Sequence, residues 1–435
     1  MLNWVFLILV GGAVITGAFN GTMKQVTDAS LSSAKTAVEL AIGLIGQMGL
    51  WLGFMRVLQD AGMMRSLSRL LAPVMRRLFP SVPGDHPAMG AMIMNLAANM
   101  LGLGNAATPF GLKAMVELDK LNPRKGVATN AMALFLAINT SGVAVLPLGV
   151  IAVRAALGSS DAAGIAVPSI LATAMGTLAA IVAIKLLENR RVFAVERYEL
   201  ASEGTAAAPQ PIKGLEQAEQ LASEIATAGR GRTAVTAVVW LAVAAALIPY
   251  VRNASGTSFE IARALMSDWL LPVLMLAIVT VGFARKVKVY ESFIAGAKEA
   301  FQIAVTIIPF LLAIIVGIGM FRASGAMGVL TDAIAPITGL IGMPAEALPM
   351  ALIRPLSGSG AFAVMTETMR TFGPDSLIGY MVSIMNGSTE TTFYVLAVYF
   401  GAVQVRAARH TVAACLCADA VGLGGSVLLA RIFFG

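Results

Sequence analysis

Four short polar clusters interrupt apolar stretches of this 435-residue sequence, and they contain most of the side chains that could do chemistry. They are GLGNAATP at 102–109, NTSG at 139–142, RPLSGSG at 354–360 and NGSTE at 386–390. Amide and hydroxyl groups, together with the backbone groups that a broken helix leaves free, can hold a dehydrated sodium ion or a small polar solute. The clusters therefore predict a solute-binding site.

Both clusters of the second half contain a charged side chain. A carboxylate such as Glu390 can bind a cation, carry a proton or hold a substrate hydroxyl, and each role would explain its burial. Arg354 lies beside an apolar run, where a charge costs about 2.5 kcal/mol or more, so we expect it to face a cavity, an anionic substrate or Glu367. Alternatively, Arg354 marks the membrane edge and extends to lipid headgroups. Asp419 is a second candidate for proton coupling.

The candidate site residues lie in these clusters and on the segment before the first one. Asn95 and Asn99 are four residues apart, so they share one face of a helix. The first cluster could instead be an ordinary connection with a capping Asn, and the fourth a loop between two short helices. The predicted coupling residues are Glu390 and Asp419, and the predicted substrate-binding residues are Asn95, Asn99, Asn105, Asn139, Thr140, Ser141, Arg354, Ser357, Ser359, Asn386, Ser388, Thr389 and Glu390.

The composition predicts an all-α integral membrane protein. Hydrophobic residues make up 57% of the chain and charged residues 13%, whereas a soluble domain has roughly 25% charged residues. The apolar runs lack the alternation of a membrane barrel, and the basic residues flank these runs as topology signals instead of forming a nucleic-acid patch. Cys415 and Cys417 fall on different faces of a helix, so neither a disulfide nor a metal site is predicted.

Apolar runs of about the length of a membrane span are the elements that must position the clusters. The first run is expected to be a retained helix, since it lacks the basic start of a signal peptide. The runs at 127–153 and 376–403 are longer than a span needs and are centred on polar clusters, which predicts tilted or unwound helices there. The predicted runs are 2–19, 36–55, 127–153, 166–187, 234–251, 269–284, 300–321, 376–403 and 411–430.

The two halves of the chain repeat one pattern. Residues 1–187 form a first membrane module, 188–232 a polar cytoplasmic linker, and 233–435 a second module preceded by two extra helices. Gly62 aligns with Gly325 at an offset of 263, and Asn139 with Asn386 at an offset of 247. The last helix of the first module ends at a basic segment, whereas the equivalent helix of the second follows one. The positive-inside rule therefore predicts inverted copies.

The quoted residues also resemble a known family. The first half is similar to spore maturation protein A and the second to spore maturation protein B, with NGSTETTFYVLAVYFGA at 386–402 as the most specific piece. Both halves resemble the nucleoside-recognition or Gate domain, a unit also found in concentrative nucleoside transporters and in the membrane part of bacterial ferrous iron transporters. In the nucleoside carriers a Gly-Gln-Thr-Glu-like hairpin tip contacts the substrate, which the resemblance carries over to 387–390. The first copy has 139–142 in that place and lacks the acid.

Two classes of function follow. The first is a secondary transporter of a small polar solute, nucleoside-like by this resemblance, in the bacterial cytoplasmic membrane. It would work by alternating access, without a cofactor and with coupling to Na⁺ or H⁺, because the chain contains no GxxxxGK[ST] motif for ATP or GTP. A lipid-linked or ionic solute and a homo-oligomer are left open, and no nucleic-acid partner is expected. The alternative is an intramembrane enzyme in which Ser359 pairs with His410.

Overall fold

The computed structural model describes residues 2–101, 104–142, 147–198, 230–253 and 258–435, and the regular elements within them are helices. The first half contains α1 to α8. These helices are α1 (Leu2–Asn20), α2 (Met23–Asp60), α3 (Met63–Leu78), α4 (Pro87–Met100), α5 (Gly104–Lys120), α6 (Asn130–Thr140), α7 (Leu148–Ala156) and α8 (Ala166–Leu187).

Two short 3₁₀ turns, Arg191–Phe193 and Val195–Arg197, begin the linker, most of which (199–229) lies outside the described residues. The second half contains α9 to α17. These helices are α9 (Arg230–Asn253), α10 (Ser258–Ala284), α11 (Val289–Ala323), α12 (Ala326–Leu340), α13 (Leu348–Ile353), α14 (Gly358–Phe372), α15 (Leu377–Ser388), α16 (Thr392–Ala402) and α17 (Thr411–Phe434).

Helices α2 to α8 recur in the same order as α11 to α17. The correspondence is visible at Gly62 and Gly325, which precede α3 and α12 with φ values of 68° and 86°. This left-handed conformation is strained for residues with a Cβ, so both copies need glycine at the same corner. Pro73 and Pro336 then lie at equivalent points inside the two helices. The predicted repeat is thus a repeat of structure.

Equivalent helices pack against each other in opposite directions. A methyl group on Gly49 of α2 would touch Ala297 of α11, whereas one on Gly319 of α11 would touch Ser33 of α2. The chain therefore rises along one helix while it descends along the other. Antiparallel packing of equivalent helices is the geometry of a twofold axis in the membrane plane. The protein is an all-α integral membrane protein built from two inverted repeats of spanning and broken helices.

The loops at the two faces are shared between repeats. At one face, the Ala128 amide donates to the Ala407 carbonyl over 3.0 Å, joining the α5–α6 loop to the α16–α17 loop. At the other face, the α14–α15 loop of the second repeat meets the α7–α8 loop of the first repeat. These loops are the equivalents of the first pair, with the two repeats exchanged. There Asp375, between α14 and α15, accepts from the Ser160 amide at 2.7 Å and pairs with the buried Arg154 at 3.0 Å. Each face is therefore closed by residues from both repeats.

Helices α3 and α12 occupy equivalent places on opposite faces and differ in charge. Helix α12 contains Asp332 and no Lys or Arg. Helix α3 contains four arginines, Arg65, Arg69, Arg76 and Arg77. One face of the inverted molecule is therefore marked by positive charge.

The predicted spans divide into continuous and broken ones. Within the described residues, four helices are long and apolar enough to cross a membrane, and α11 qualifies as a bent fifth. The runs at 127–153 and 376–403 are each a pair of helices of 9 to 12 residues. Since about 20 residues are needed to span, neither member of a pair crosses alone. Their inner ends must therefore lie within the membrane.

Candidate functional site

The broken spans of the two repeats cross at the centre of the molecule. The Glu390 amide donates to the Thr140 carbonyl over 2.9 Å, so the unwound segment 389–391 is joined to the end of α6. Gly142 follows with a φ of 63°, and a methyl group there would lie 3.2 Å from the Glu390 side chain. A residue with a Cβ would have a strained backbone and a close side-chain contact at this crossing, so glycine is favoured. The second and fourth polar clusters therefore meet.

The third cluster joins the same crossing. The Phe393 amide donates to the Pro355 carbonyl over 3.0 Å. The Arg354 guanidinium donates to the Thr389 carbonyl and forms an ion pair with Glu390, with a nitrogen to oxygen distance of 3.7 Å. The helix that leads away, α14, begins at Ser357, whose hydroxyl accepts from the Gly360 amide as an N-cap. This cluster therefore presents helix-end groups and one cation to the centre.

The first cluster reaches the centre through α4. Asn99 donates its amide hydrogen to the side-chain oxygen of Asn139 at 2.9 Å. Asn95, one turn earlier, donates to the Ala107 carbonyl at 2.8 Å and to the Tyr399 hydroxyl at 3.2 Å. The Tyr399 hydroxyl donates in turn to Asn139 at 3.5 Å. The helical spacing of Asn95 and Asn99 does place both on one face, directed at α6 and α16.

A cavity of about 530 Å³ lies among these groups. Five predicted residues line it together with four more polar residues that the sequence did not single out. Among the described residues, Glu390 contributes the one carboxylate of this lining, and neither lysine nor arginine lines it. The polar lining consists of Asn99, Thr108, Asn139, Ser357, Ser359, Glu390, Thr391, Tyr394 and Tyr399.

A second cavity of about 310 Å³ also borders the unwound segment. Its walls include Asn386, Thr389 and Glu390 of the fourth cluster, and Trp51 of α2. Because Glu390 lines both cavities and its side chain is 53% exposed, its carboxylate is accessible from either space.

Other predicted residues hold the backbone instead of lining the larger cavity. The Thr140 hydroxyl donates to the Ala137 carbonyl, and the Ser141 hydroxyl donates to the Ile138 carbonyl and to Thr177. Ser388 accepts from Ser426 of α17 at 3.0 Å. The Asn105 side chain lies outside the described residues. The hydroxyls therefore stabilise helix ends near the site. The presence of Ser or Thr in the sequence does not by itself distinguish this role from ligand binding.

The expectation that Glu367 is the partner of Arg354 is wrong. Glu367 pairs with Arg322 at 3.1 Å and with Arg370 at 2.8 Å. Arg354 is 6% exposed and pairs with Glu390, so it does not extend to lipid headgroups either. The unwound segment brings Glu390 next to Arg354 although 36 residues separate them, whereas Glu367 turns towards two exposed arginines on the far side of α14.

Asp419 lies outside both cavities, on α17. It is 3% exposed, and one carboxylate oxygen accepts from the Thr392 hydroxyl at 2.7 Å. The two cysteines nearby lie on different faces of α17, as their spacing predicts: Cys415 is buried and Cys417 is exposed. Asp419 is therefore placed next to the fourth cluster, at the first turn of α16.

The Ser359 and His410 side chains needed by the alternative enzyme lie in different places. Ser359 lines the central cavity. His410 precedes α17 at the basic face, with its ring 6.0 Å from that of Phe193. Both ring nitrogens of His410 are buried without a hydrogen-bond partner among the described residues. Among the described residues, no hydrogen bond joins a serine hydroxyl to His410.

Tyr399 is one of the four polar lining residues that sequence reasoning missed. It is 5% exposed, stacks on Phe135 with ring centroids 6.0 Å apart, and bonds to two amides of the site. A methyl group on Gly111 of α5 would collide with its hydroxyl. The signal was a tyrosine inside an apolar run facing a glycine, and both are common in membrane helices for other reasons.

Comparison with known proteins agrees with the family expected from the sequence. A family model described as nucleoside recognition, Gate, matches residues 41–157 and 304–406. Spore maturation protein A of Bacillus subtilis (strain 168) is 42% identical over 188 residues, covering 43% of this chain and 95% of that protein. Spore maturation protein B of the same organism is 43% identical over 172 residues, covering 39% of this chain and 97% of that protein.

Among solved structures, the chain is similar to the YdaH transporter of Alcanivorax borkumensis, whose structure is described as having an unusual topology. The TM-score is 0.45 and the sequence identity 15%, over 98% of this chain and 96% of that chain. This similarity is below the level that establishes a shared fold.

Proposed function

This multi-pass membrane protein belongs to the Gate, or nucleoside recognition, family, and we propose that it is a secondary transporter of small polar solutes of the nucleoside class. The observation that carries the proposal is the central cavity of about 530 Å³ where the four clusters meet. Its volume falls in the range of about 300 to 1,000 Å³ that is typical of small-molecule sites.

The lining of this cavity favours a neutral or cationic solute with several hydroxyl groups. Asn99, Asn139 and Glu390 offer amide and carboxylate groups suited to sugar hydroxyls. The rings of Phe310 and Tyr394 offer flat apolar surface to a heterocycle. An anion would meet the Glu390 carboxylate without a cation in the lining, because the Arg354 guanidinium is directed at the Thr389 carbonyl and at Glu390. Phosphorylated and other anionic solutes are therefore disfavoured.

Alternating access is supported by the arrangement around Glu390. Glu390, in the unwound segment 389–391, lines both cavities. In an inverted repeat, each half can take the conformation of the other, and this exchange opens one cavity while it closes the second. Coupling is to Na⁺ or H⁺, as the sequence predicts. The arginines of α3, read by the positive-inside rule, support a bacterial inner membrane with this face on the cytoplasmic side.

The test is a binding and transport experiment on purified full-length protein. Uridine should raise the melting temperature in detergent with increasing concentration, and uridine monophosphate should not. In proteoliposomes loaded with unlabelled uridine, tritiated uridine should accumulate by counterflow. Stabilisation by the monophosphate instead of the nucleoside, or the absence of both effects across the common nucleosides, would reject the nucleoside class.

A further inference from the structure

A buried carboxylate lies beside the solute site without lining either cavity. Asp419 of α17 is 3% exposed, and its second carboxylate oxygen has no hydrogen-bond partner among the described residues. The first oxygen accepts from the Thr392 hydroxyl at 2.7 Å. An ionised carboxylate in such a place lacks about half of the donors it would have in water, and this loss disfavours its charged form.

Asp419 shares one cation with Glu390. The Arg354 guanidinium is 3.7 Å from Glu390 and also lies within electrostatic range of Asp419. One positive and two negative groups leave an uncompensated negative charge when all three are ionised. In the low-dielectric interior this charge has a high free energy, and the uptake of one proton or one metal cation removes it.

The exposures of the two carboxylates decide which of them takes the proton. Glu390 is 53% exposed to the cavities, where water stabilises its charge, and it is the carboxylate that contacts Arg354. Asp419 is buried and has a single donor. The other titratable group that faces Asp419 is the thiol of Cys415, one turn earlier on α17, which is engaged with Thr140. A sodium ion at Asp419 would be repelled by Arg354, whereas a proton forms a covalent bond to one oxygen.

We propose that Asp419 is the proton-binding residue of this protein and that Arg354 exchanges between the two carboxylates. Asp419 is a neutral acid while Arg354 pairs with Glu390. When Arg354 turns to Asp419, the O–H bond of the acid breaks, its electron pair stays on the carboxylate oxygen, and the proton passes to water that reaches Asp419 in that arrangement. Glu390 is then free to bind solute. The coupling role rests on the proposed transport function, but the protonation of Asp419 does not.

Infrared difference spectroscopy tests the protonation without any solute. In full-length protein in nanodiscs, a carbonyl band of a protonated carboxylic acid should be present at neutral pH and disappear at alkaline pH. Asp419→Asn should abolish this band, and the matched variant Glu390→Gln should retain it. A band that persists in Asp419→Asn, or that vanishes in Glu390→Gln, would overturn the assignment. Stabilisation of the wild type by Na⁺ that Asp419→Asn abolishes would overturn it in favour of a sodium site.

Should Asp419→Asn fail to fold, Thr392→Val gives a second test. The variant removes the one hydrogen-bond donor to the acid, so the frequency of the carbonyl band should shift, and an unchanged frequency would contradict the proposal.

The coupling role has its own readout in proteoliposomes. Asp419→Asn resembles the protonated acid, which keeps Arg354 on Glu390. Uptake driven by a pH gradient should therefore be lost, and the uridine counterflow that remains should no longer depend on pH. Retained pH-driven uptake would reject the coupling role. If wild-type protein carries no uridine at all, the proposed solute class fails, and the infrared result still decides whether Asp419 binds a proton.

Discussion

The backbone amide of Glu390 donates a hydrogen bond of 2.9 Å to the backbone carbonyl of Thr140, which joins the unwound centre of the second repeat to a helix end of the first. Both groups are available because a helix breaks at each residue and leaves its terminal amides and carbonyls unpaired. The bond sets the position of the Glu390 carboxylate relative to the amides of the first repeat. Any movement between the repeats must therefore change the geometry of the site.

Gly142→Ala should disturb this crossing. The residue has a φ of 63°, and an added methyl group would lie 3.2 Å from the Glu390 side chain. Left-handed backbone costs a residue with a Cβ roughly 1–2 kcal/mol, and the contact adds to that. We expect a lower melting temperature in detergent and weaker uridine binding. Gly424→Ala, where a methyl group would meet nothing within 4 Å, is the matched control and should behave as wild type.

Glu390→Gln should remove solute binding while the protein still folds. The substitution discharges the one carboxylate of the central cavity and leaves Arg354 without its ion-pair partner. A charged hydrogen bond contributes about 1.5–3 kcal/mol, which corresponds to roughly a 10- to 100-fold rise in the Kd for uridine. Thermal titration and counterflow measure this change. Glu39→Gln, at a side chain that is 62% exposed and paired with Lys35, should have no effect. Unchanged transport in Glu390→Gln would exclude Glu390 from the mechanism.

Ser359→Ala separates the transporter from the intramembrane enzyme. In a transporter the hydroxyl is one of several polar groups in the lining, so its loss should cost about 0.5–1.5 kcal/mol and reduce uptake affinity roughly 2- to 10-fold. An enzyme with a serine nucleophile would lose all turnover. The measurement is the concentration dependence of uridine uptake in proteoliposomes. Complete inactivation with normal folding would favour covalent chemistry at this hydroxyl.

His410 should make the protein less stable in acid. Burial, with a smaller contribution from Arg409, lowers the pKa of His410 from its ordinary 6.5 to about 4. Between these values the unfolded chain binds a proton that the folded chain does not, so the free energy of unfolding falls as the pH drops from 6.5 towards 4. His410→Phe should keep the ring contact with Phe193 and flatten the melting temperature across this window.

His86→Asn is the control for this measurement, since it leaves His410 in place and supplies another capping side chain at the start of α4. The wild-type pH dependence should persist in it. A pH dependence that is the same in His410→Phe and in wild type would assign the effect to other groups.

The inverted arrangement predicts opposite labelling of two exposed residues. In a chain with both native cysteines replaced, Asp332→Cys on α12 should react with a membrane-impermeant thiol reagent in intact cells. Arg69→Cys on α3 should react only after the membrane is permeabilised, because the arginines of this helix retain its face in the cytoplasm. Labelling of both positions from the same side would contradict the inversion.

Features that depend on local composition or short-range spacing were determined by the sequence alone. The low charge content required a membrane protein, since about 20 apolar residues in a row can satisfy their backbone only as a helix. Asn95 and Asn99 share a face because the helical period is local. The breaks at 139–142 and 386–390 follow from polar and glycine residues in the middle of apolar runs. The basic residues around the last helix of each module predicted the inversion.

The tertiary structure decided which breaks meet and which charges pair. Arg354 does not pair with Glu367, the acid that the sequence indicated, because two other arginines occupy that carboxylate. Its actual partner, Glu390, is brought to it by an unwound segment whose path depends on a carbonyl of the other repeat. Tyr399 likewise becomes part of the site only when α16 packs against α4 and α6. Such relationships depend on contacts between residues far apart in the chain, which neither period nor composition encodes.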